Sequence, residues 1–311
     1  MFSKSHLAKF AATTALAFGL QACATTPAEE VSAALAPAPV AATTASGPAL
    51  WKVSDEDTTI YLFGTVHALP EDTDWLRGPI SQALASSQTL VTEIEDAAMS
   101  DPAMQQKTMA LGMLPEGTTL RSLLNAEQTA TYEAALAKVG VPPQAFDRFE
   151  PWMAGMTLSI LPIMQAGYTQ ESGVEKRIEA EAGADKARGS LETVEEQLAL
   201  FDTLPREAQI AFLMSSAEMI DEIVPMMDQM VAEWLEGDAD GLAELMNRGL
   251  TDPALAERLL YERNRNWVEW IDTRLDTPGT VFMAVGAGHL AGTNSVQNYL
   301  DQRGIAVTRV Q

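Results

Sequence analysis

Two apolar runs near opposite ends of the chain lead into the same four-residue pattern, Gly-x-x-His. Ile60-Tyr61-Leu62-Phe63 runs into Gly64-Thr65-Val66-His67, and Val281-Phe282-Met283-Ala284-Val285 runs into Gly286-Ala287-Gly288-His289. Short, uninterrupted apolar stretches bounded by glycine read as buried strands. The intervening sequence, from about residue 100 to about 275, is dominated by helical periodicity. Strands at both ends and helices between them predict an α/β fold. Its small mixed sheet is built from pseudo-repeated N- and C-terminal segments, with the helical stretch as a large insertion. Such a fold brings His67 and His289 to neighbouring strand ends, and in α/β sheets the carboxyl ends of strands are where sites form.

The finer pattern supports this division. Thr58 to Val66 follows the acidic turn Asp55-Glu56-Asp57 and reads as the return strand of a hairpin begun at Leu50-Trp51-Lys52-Val53. A short helix is predicted over 79–86, then a strand over 89–95 in which Val91, Glu93 and Glu95 share one face. Asn125 with Gln128 makes an N-cap signature, and Gly140 closes that helix. Apolar 151–166 reads as a buried helix, 174–182 as another, and 186–191 as a strand ending at Glu192. A long helical region over 205–236 carries Pro225, which predicts a bend. The stretch 252–275 reads as one amphipathic helix, and after the second strand come a helix over 295–302 and a last strand over 305–310.

The charge balance excludes some functions. The chain has 311 residues with 20 Lys and Arg against 43 Asp and Glu, a formal net charge of −23. So acidic a surface repels phosphate backbones, which argues against nucleic-acid binding. The N-terminus predicts a compartment. Lys4 and Lys9 flank the start of an apolar stretch, residues 10–20, too short to span a bilayer, and small residues follow it: residues 1–22 read as an export signal. The sole cysteine, Cys23, ends Leu20-Gln21-Ala22-Cys23, which resembles a bacterial lipobox; cleavage after Ala24 is the alternative. Residues 23–49, rich in Ala, Pro and Thr, read as a disordered tether carrying the lipidated Cys23. The expected location is the periplasmic side of a bacterial cell envelope, lipid-anchored, with the membrane contacted through that anchor only. One folded domain is expected over 50–311.

The remaining histidine, His6, falls in the export signal, so a mature chain would own two imidazoles. On the 252–275 helix, Leu259, Leu260, Trp267, Val268, Trp270 and Ile271 form one apolar stripe. Arg263 and Asn264 fall inside it, whereas Arg258, Glu262 and Glu269 point away. A guanidinium on an apolar face needs a carboxylate or an anionic ligand. Glu93, Glu95 and Glu192 are the candidates, and Arg263 can equally be read as a purely structural ion pair with Glu192. Glu95 can be read as a solvated strand-end charge. Each Gly-x-x-His can be read as a turn with a hydrogen-bonded histidine. The methionines are spaced as core and gap filler.

These residues resemble the TraB/GumN family. The resemblance runs from about residue 50 to the end and rests on Leu-Trp-Lys-Val (50–53), Tyr-Leu-Phe-Gly-Thr-Val-His (61–67), Thr-Glu-Ile-Glu (92–95), Leu-Glu-Thr with Glu196-Gln197 (191–197), Glu-Arg-Asn-Arg-x-Trp (262–267) and Val-Gly-Ala-Gly-His-Leu (285–290). It implies kinship with the animal TIKI proteins, proposed to be metal-dependent proteases, and more distantly with erythromycin-esterase-like hydrolases that use a His/Glu/Arg site. No Gly-x-Ser-x-Gly elbow, His-Glu-x-x-His, Walker loop or Gly-x-Gly-x-x-Gly occurs. The expected function is therefore a metal-assisted hydrolase acting on a peptide or small ester-like substrate. His67, Glu93 and His289 would hold a divalent cation (Mn, Co or Zn). Arg263 would stabilise the oxyanion, Glu192 would orient it or act as base, Glu95 would be a second carboxylate, and Asn264 would assist binding. A metal-free His/Glu hydrolase and a non-catalytic envelope binding protein are the alternatives.

Overall fold

The computed structural model describes residues 47–250 and 252–311. The expected export signal, Cys23 and most of the expected 23–49 tether lie outside these. The first strand, β1 (Leu50–Ser54), turns back into β2 (Thr58–Thr65). The Asp55 carboxylate makes that turn by accepting from the Asp57 N–H at 3.1 Å and the Thr58 N–H at 2.7 Å, as aspartate does in tight turns. The chain then runs through β3 (Leu69–Pro70), α1 (Gly78–Ser86), β4 (Thr89–Thr92), α2 (Asp96–Met99), α3 (Pro102–Leu111), α4 (Ala126–Lys138) and α5 (Pro151–Gln165). Next come β5 (Tyr168–Thr169), α6 (Val174–Ala182), β6 (Ala187–Ser190), α7 (Val194–Asp202), α8 (Arg206–Glu218), α9 (Ile223–Glu236) and α10 (Ala239–Gly249). The last part holds α11 (Pro253–Ala256), a π turn (Glu257–Tyr261), α12 (Glu262–Leu275), β7 (Gly279–Gly286), α13 (Val296–Gln302) and β8 (Val307–Arg309).

Six of the strands form one mixed sheet in the order β6-β4-β7-β2-β1-β8. β6, β4, β7 and β2 run parallel to one another, and β1 is antiparallel to both β2 and β8. Every strand of the sheet except β1 therefore points the same way. The α/β architecture expected from the two end segments is present, and the segments interleave: β7 lies between β2 and β4.

Alternation along the strands assigns each face its own core. Leu50, Phe63, Leu90 and Phe282 pack with Ile80 and Leu84 of α1, Val174 and Ile178 of α6, and Val231 and Trp234 of α9. Val53, Leu62, Val91, Met283 and Val285 face the other way, onto Trp267, Val268 and Ile271 of α12 and Val296 and Leu300 of α13. The helical insertion has a separate core in which Tyr132 and Leu136 of α4, Leu158 of α5 and Leu213 of α8 meet. Among the described residues no helix is long and apolar enough to cross a membrane.

Three local expectations need correction. The strand expected over 89–95 stops at Thr92, where the Thr92 hydroxyl donates to the Ile94 carbonyl at 2.8 Å and turns the chain. Glu93 and Glu95 therefore do not share a strand face, and Glu95 becomes the N-cap residue of α2. The helical region around Pro225 is two helices. Pro225 sits in the first turn of α9, where its missing N–H costs no helical bond, and the break lies earlier, between Glu218 and Ile223. The helix expected over 252–275 is interrupted by the π turn, in which the Glu262 N–H reaches back five residues to the Glu257 carbonyl.

One buried side chain ties the helical insertion to the sheet. The Trp234 indole N–H donates to the Gly64 carbonyl at 2.8 Å, in the interior. Replacing Trp234 with Phe keeps most of the ring and strands that carbonyl without a partner. The expected cost is about 1–3 kcal/mol, read as a lowered denaturant midpoint with an unchanged m-value.

Candidate functional site

The parallel strands end nearly level, since Thr65 lies opposite Gly286, Thr92 opposite Ala284, and Ser190 opposite Thr92. Just past these ends stand Glu192 after β6, Glu93 after β4, His289 after β7 and His67 after β2. Sheet order thus sets site order. The β2 and β7 turns also lie against each other. A Cβ at Gly64 would come within 3.0 Å of the Ala287 Cα, so a side chain there would force the two Gly-x-x-His phrases apart.

Arg263 enters this crevice from α12 and is largely buried, at 12% side-chain exposure. Its Nε donates to Glu192 Oε1 at 2.7 Å and its Nη2 to Glu192 Oε2 at 2.8 Å, a two-pronged pairing. Nη2 also donates to Glu93 Oε2 at 2.6 Å. Nη1 donates to the Leu259 carbonyl at 2.9 Å and to His289 Nε2 at 3.0 Å. A guanidinium has five N–H bonds, and all are used. Gln197, one turn into α7, bridges the two carboxylates from the other side, at 2.8 Å from Glu93 Oε2 and 2.9 Å from Glu192 Oε2. Glu93 Oε1 accepts from the Gly286 N–H at 2.7 Å, and Glu192 Oε1 accepts from the Trp267 indole at 3.0 Å.

His289 is buried and has both ring nitrogens engaged. Asn264 donates its amide N–H to the Asn294 carbonyl at 2.7 Å, so its Oδ1 faces His289 Nδ1 at 2.5 Å and accepts that N–H. Nε2 is then the acceptor for Arg263, a role only a neutral ring can fill. The Trp267 ring lies 4.2 Å away, centroid to centroid. Burial pulls the His289 pKa down, further than Glu93 can restore it, to about 3. Burial pushes Glu93 the other way, but His289, Arg263 and His67, with the Gly286 N–H, outweigh it and hold the carboxyl at about 2.

His67 occurs in the same phrase in a different environment. Its side chain is 75% exposed, and Nδ1 lies 2.6 Å from Glu175 Oε1. The negative charge of Glu175 beside it raises the imidazole to about 9 against its partial desolvation. Glu93 and Arg263 are close enough to add opposing contributions. Nε2 has no protein partner among the described residues.

The chain belongs to the TraB/PrgY/gumN family. The model of that family matches residues 49–309, which spans both Gly-x-x-His phrases and every residue of the cluster. No curated protein and no solved structure matched the chain.

For this family member the structure brings together Glu93, Glu192, Arg263, Asn264 and His289, and sets His67 at their edge. It does not bring in Glu95, which is exposed at the start of α2. Cys23 lies outside the described residues. The donor set proposed for a cation does not present open atoms. Both nitrogens of His289 and both oxygens of Glu93 are bonded internally, with a fixed positive charge between them. Among the described residues, no three His, Cys, Asp or Glu side chains stand where they could hold a metal ion. Arg263 likewise has no N–H left for an oxyanion. Sequence reasoning missed Glu175, whose signal was slight: a carboxylate in the first turn of a charged helix. It also missed the bridging role of Gln197, which the Leu-Glu-Thr segment with Glu196-Gln197 carried without explaining.

Two outcomes follow from this electrostatics. Arg263→Met leaves two buried carboxylates uncompensated and is expected to cost about 3–5 kcal/mol; Arg263→Lys, lacking the fork, recovers only part of it, measured by chemical denaturation. Stability should also decline as pH falls. Between its ordinary 6.5 and about 3, His289 binds a proton in the unfolded chain and not in the folded one, so the native state loses ground throughout that window. Glu93, lowered from 4.5 to about 2, adds its own loss below 4.5. In His289→Gln the decline of the melting temperature between pH 6.5 and 4.5 should be shallower than in the unaltered chain.

Proposed function

We propose that this chain is a cell-envelope hydrolase of peptide or ester-like bonds in which His67 Nε2 moves the protons and no metal takes part. The observation that carries the reading is the open Nε2 of His67, which has no protein partner among the described residues. The cluster around Arg263 is internally saturated, whereas His67 stands exposed beside it with a carboxylate on its other nitrogen. A carboxylate-backed imidazole with a free nitrogen is suited to acid–base work. Neutral Nε2 would take a proton from water as its oxygen attacks the carbonyl carbon. The imidazolium would return that proton to the departing alkoxide or amine as the bond to carbon breaks. The cluster would serve as a rigid, charged wall that holds His67 and the substrate carbonyl in register. The pattern of residues 1–23 supports the envelope location.

A divalent cation at His67, Glu93 and His289 would have to displace Arg263 from both Glu93 and His289, leaving two cationic groups in competition for the same carboxylate. Metal dependence therefore serves as the discriminating test. The purified chain would be assayed with p-nitrophenyl acetate and fluorescein-labelled casein, before and after exhaustive chelation, with metal content measured alongside. Turnover indifferent to chelation and lowered about 10²–10⁴-fold in His67→Gln is the expected result. Stoichiometric metal whose removal abolishes turnover would sink the metal-free reading. A folded His67→Gln variant with undiminished rate would sink the assignment of His67.

The pH profile gives a second check. The base form of His67 is needed first, and Glu175 raises its pKa from 6.5 to about 9. kcat/KM should therefore climb with pH through a midpoint above 6.5, on the alkaline side of an ordinary histidine.

A further inference from the structure

We propose that the recess between the α9–α10 junction and the turn after His289 is a binding site for a neutral sugar unit. None of its residues belongs to the Arg263 cluster, and the site does not depend on the hydrolase reading.

The recess encloses about 270 Å³. That is several times the about 30 Å³ that one water takes in the liquid, so the space suits a small molecule and not a single ion. One wall follows from strand pairing. Trp51 of β1 lies opposite Arg309 of β8, so the two side chains share a face, and the guanidinium lies 5.1 Å from the Trp51 ring centroid. Two backbone carbonyls hold it there: Nη2 donates to Gly237 at 2.5 Å, and Nε donates to Gln311. Gly237 closes α9 at φ 74°, and a Cβ there would come within 2.9 Å of Arg309 Nη2. Glycine is what lets the guanidinium in.

Around this stack, several polar groups lining the recess keep bonding capacity. Nη1 of Arg309 has no partner among the described residues. Asp238 and Asp240 act on the charge of Arg309, but partial burial outweighs them and lowers its pKa. Asp238 spends Oδ1 on the α10 cap, accepting from the Asp240 N–H at 3.1 Å and the Gly241 N–H at 2.9 Å, which leaves Oδ2. Asp240 is exposed, and its carboxylate has no partner among the described residues. Gln297 donates Nε2 to the Leu290 carbonyl at 3.0 Å. That bond fixes the amide and leaves Oε1 enclosed and unpartnered. A buried acceptor is costly to leave unpaired, so a ligand that donates to it gains by binding.

The mixture of groups selects the chemistry. A phosphate or carboxylate would find one open N–H and two carboxylates of its own sign. A metal ion or an ammonium would face the fixed guanidinium. An apolar ligand would strip water from Arg309, Gln297 and both aspartates and replace none of it. A hydroxyl both donates and accepts. A ring of hydroxyls can therefore accept from Arg309 Nη1 while donating to Asp238, Asp240 and Gln297. A pyranose also carries apolar C–H groups to lie on the body of the indole, whose surface is largely apolar.

The full chain, labelled with ¹⁵N-tryptophan, is titrated with methyl α-glucopyranoside, methyl α-mannopyranoside, methyl β-galactopyranoside and N-acetylglucosamine. Methylamine and sodium phosphate are titrated in parallel. The Trp51 indole signal is assigned by its loss in Trp51→Phe. At least one sugar should move that signal saturably, with a Kd on the order of 1 mM. The signal of Trp152, buried in α5, should stay in place. Binding should weaken about tenfold in Asp240→Ala and in Gln297→Met. Asp240 is exposed and unpartnered, so Asp240→Ala reads the site even where Gln297→Met disturbs the turn. A Trp51 signal unmoved by every sugar would overturn the assignment, as would sugar binding undiminished in Asp240→Ala. Saturable binding of methylamine or phosphate in place of a sugar would overturn the ligand class.

Discussion

The site depends on one guanidinium placed between two carboxylates that cannot be buried without it. Glu93 and Glu192 follow adjacent strands and converge because β4 and β6 are neighbours. Two such charges in the interior would repel each other and each would be costly to desolvate. Arg263 offsets both at once, and the shape of its fork fixes where each oxygen must lie. Gln197 then spans the pair, Trp267 covers it, and His289 is drawn in as a neutral acceptor.

The consequence is that two phrases of one Gly-x-x-His pattern hold their histidines in opposite states. Gly64-Thr65-Val66-His67 and Gly286-Ala287-Gly288-His289 end in the same side chain at the same kind of strand end. What differs is the partner. His289 meets a donor, Arg263, and an amide, Asn264, so its ring is uncharged and fixed. His67 meets a carboxylate, Glu175, so its ring is held toward the charged form and faces solvent. The pseudo-repeat is one of backbone course, and the division of roles comes from helices that belong to neither half.

Much of this was legible in the chain itself, for physical reasons. Buried strands announce themselves as apolar runs, and a lone arginine on an apolar helix stripe announces a buried partner; hence the sheet, His289, Glu93 and Arg263 could be read in advance. The saturation of the donors could not, because it depends on which two strands lie side by side. Glu175 was hidden for another reason. It is the second residue of Val174–Ala182, a charged stretch that looks like any solvated helix, and only the bond from Val174 to Val66 reveals what it faces. The π turn was hidden because a stripe counted at a constant angle per residue cannot register one extra residue. Glu95 misled because a period-two pattern was extended past Thr92, where a hydroxyl bond had already turned the chain.

The place of β7 in the sheet bears on how such a molecule can be assembled. β2 emerges early in synthesis with only β1 beside it, and its other edge stays unpaired until nearly the whole chain exists. An open, apolar strand edge is a template for mispairing, and contacts closing so long a loop form slowly. The helical insertion, with a core of its own, can mature in the meantime. The crevice at the strand ends is therefore the last part of the fold to be completed, and a chain shortened by its final strands would retain a folded helical body beside an unfinished sheet.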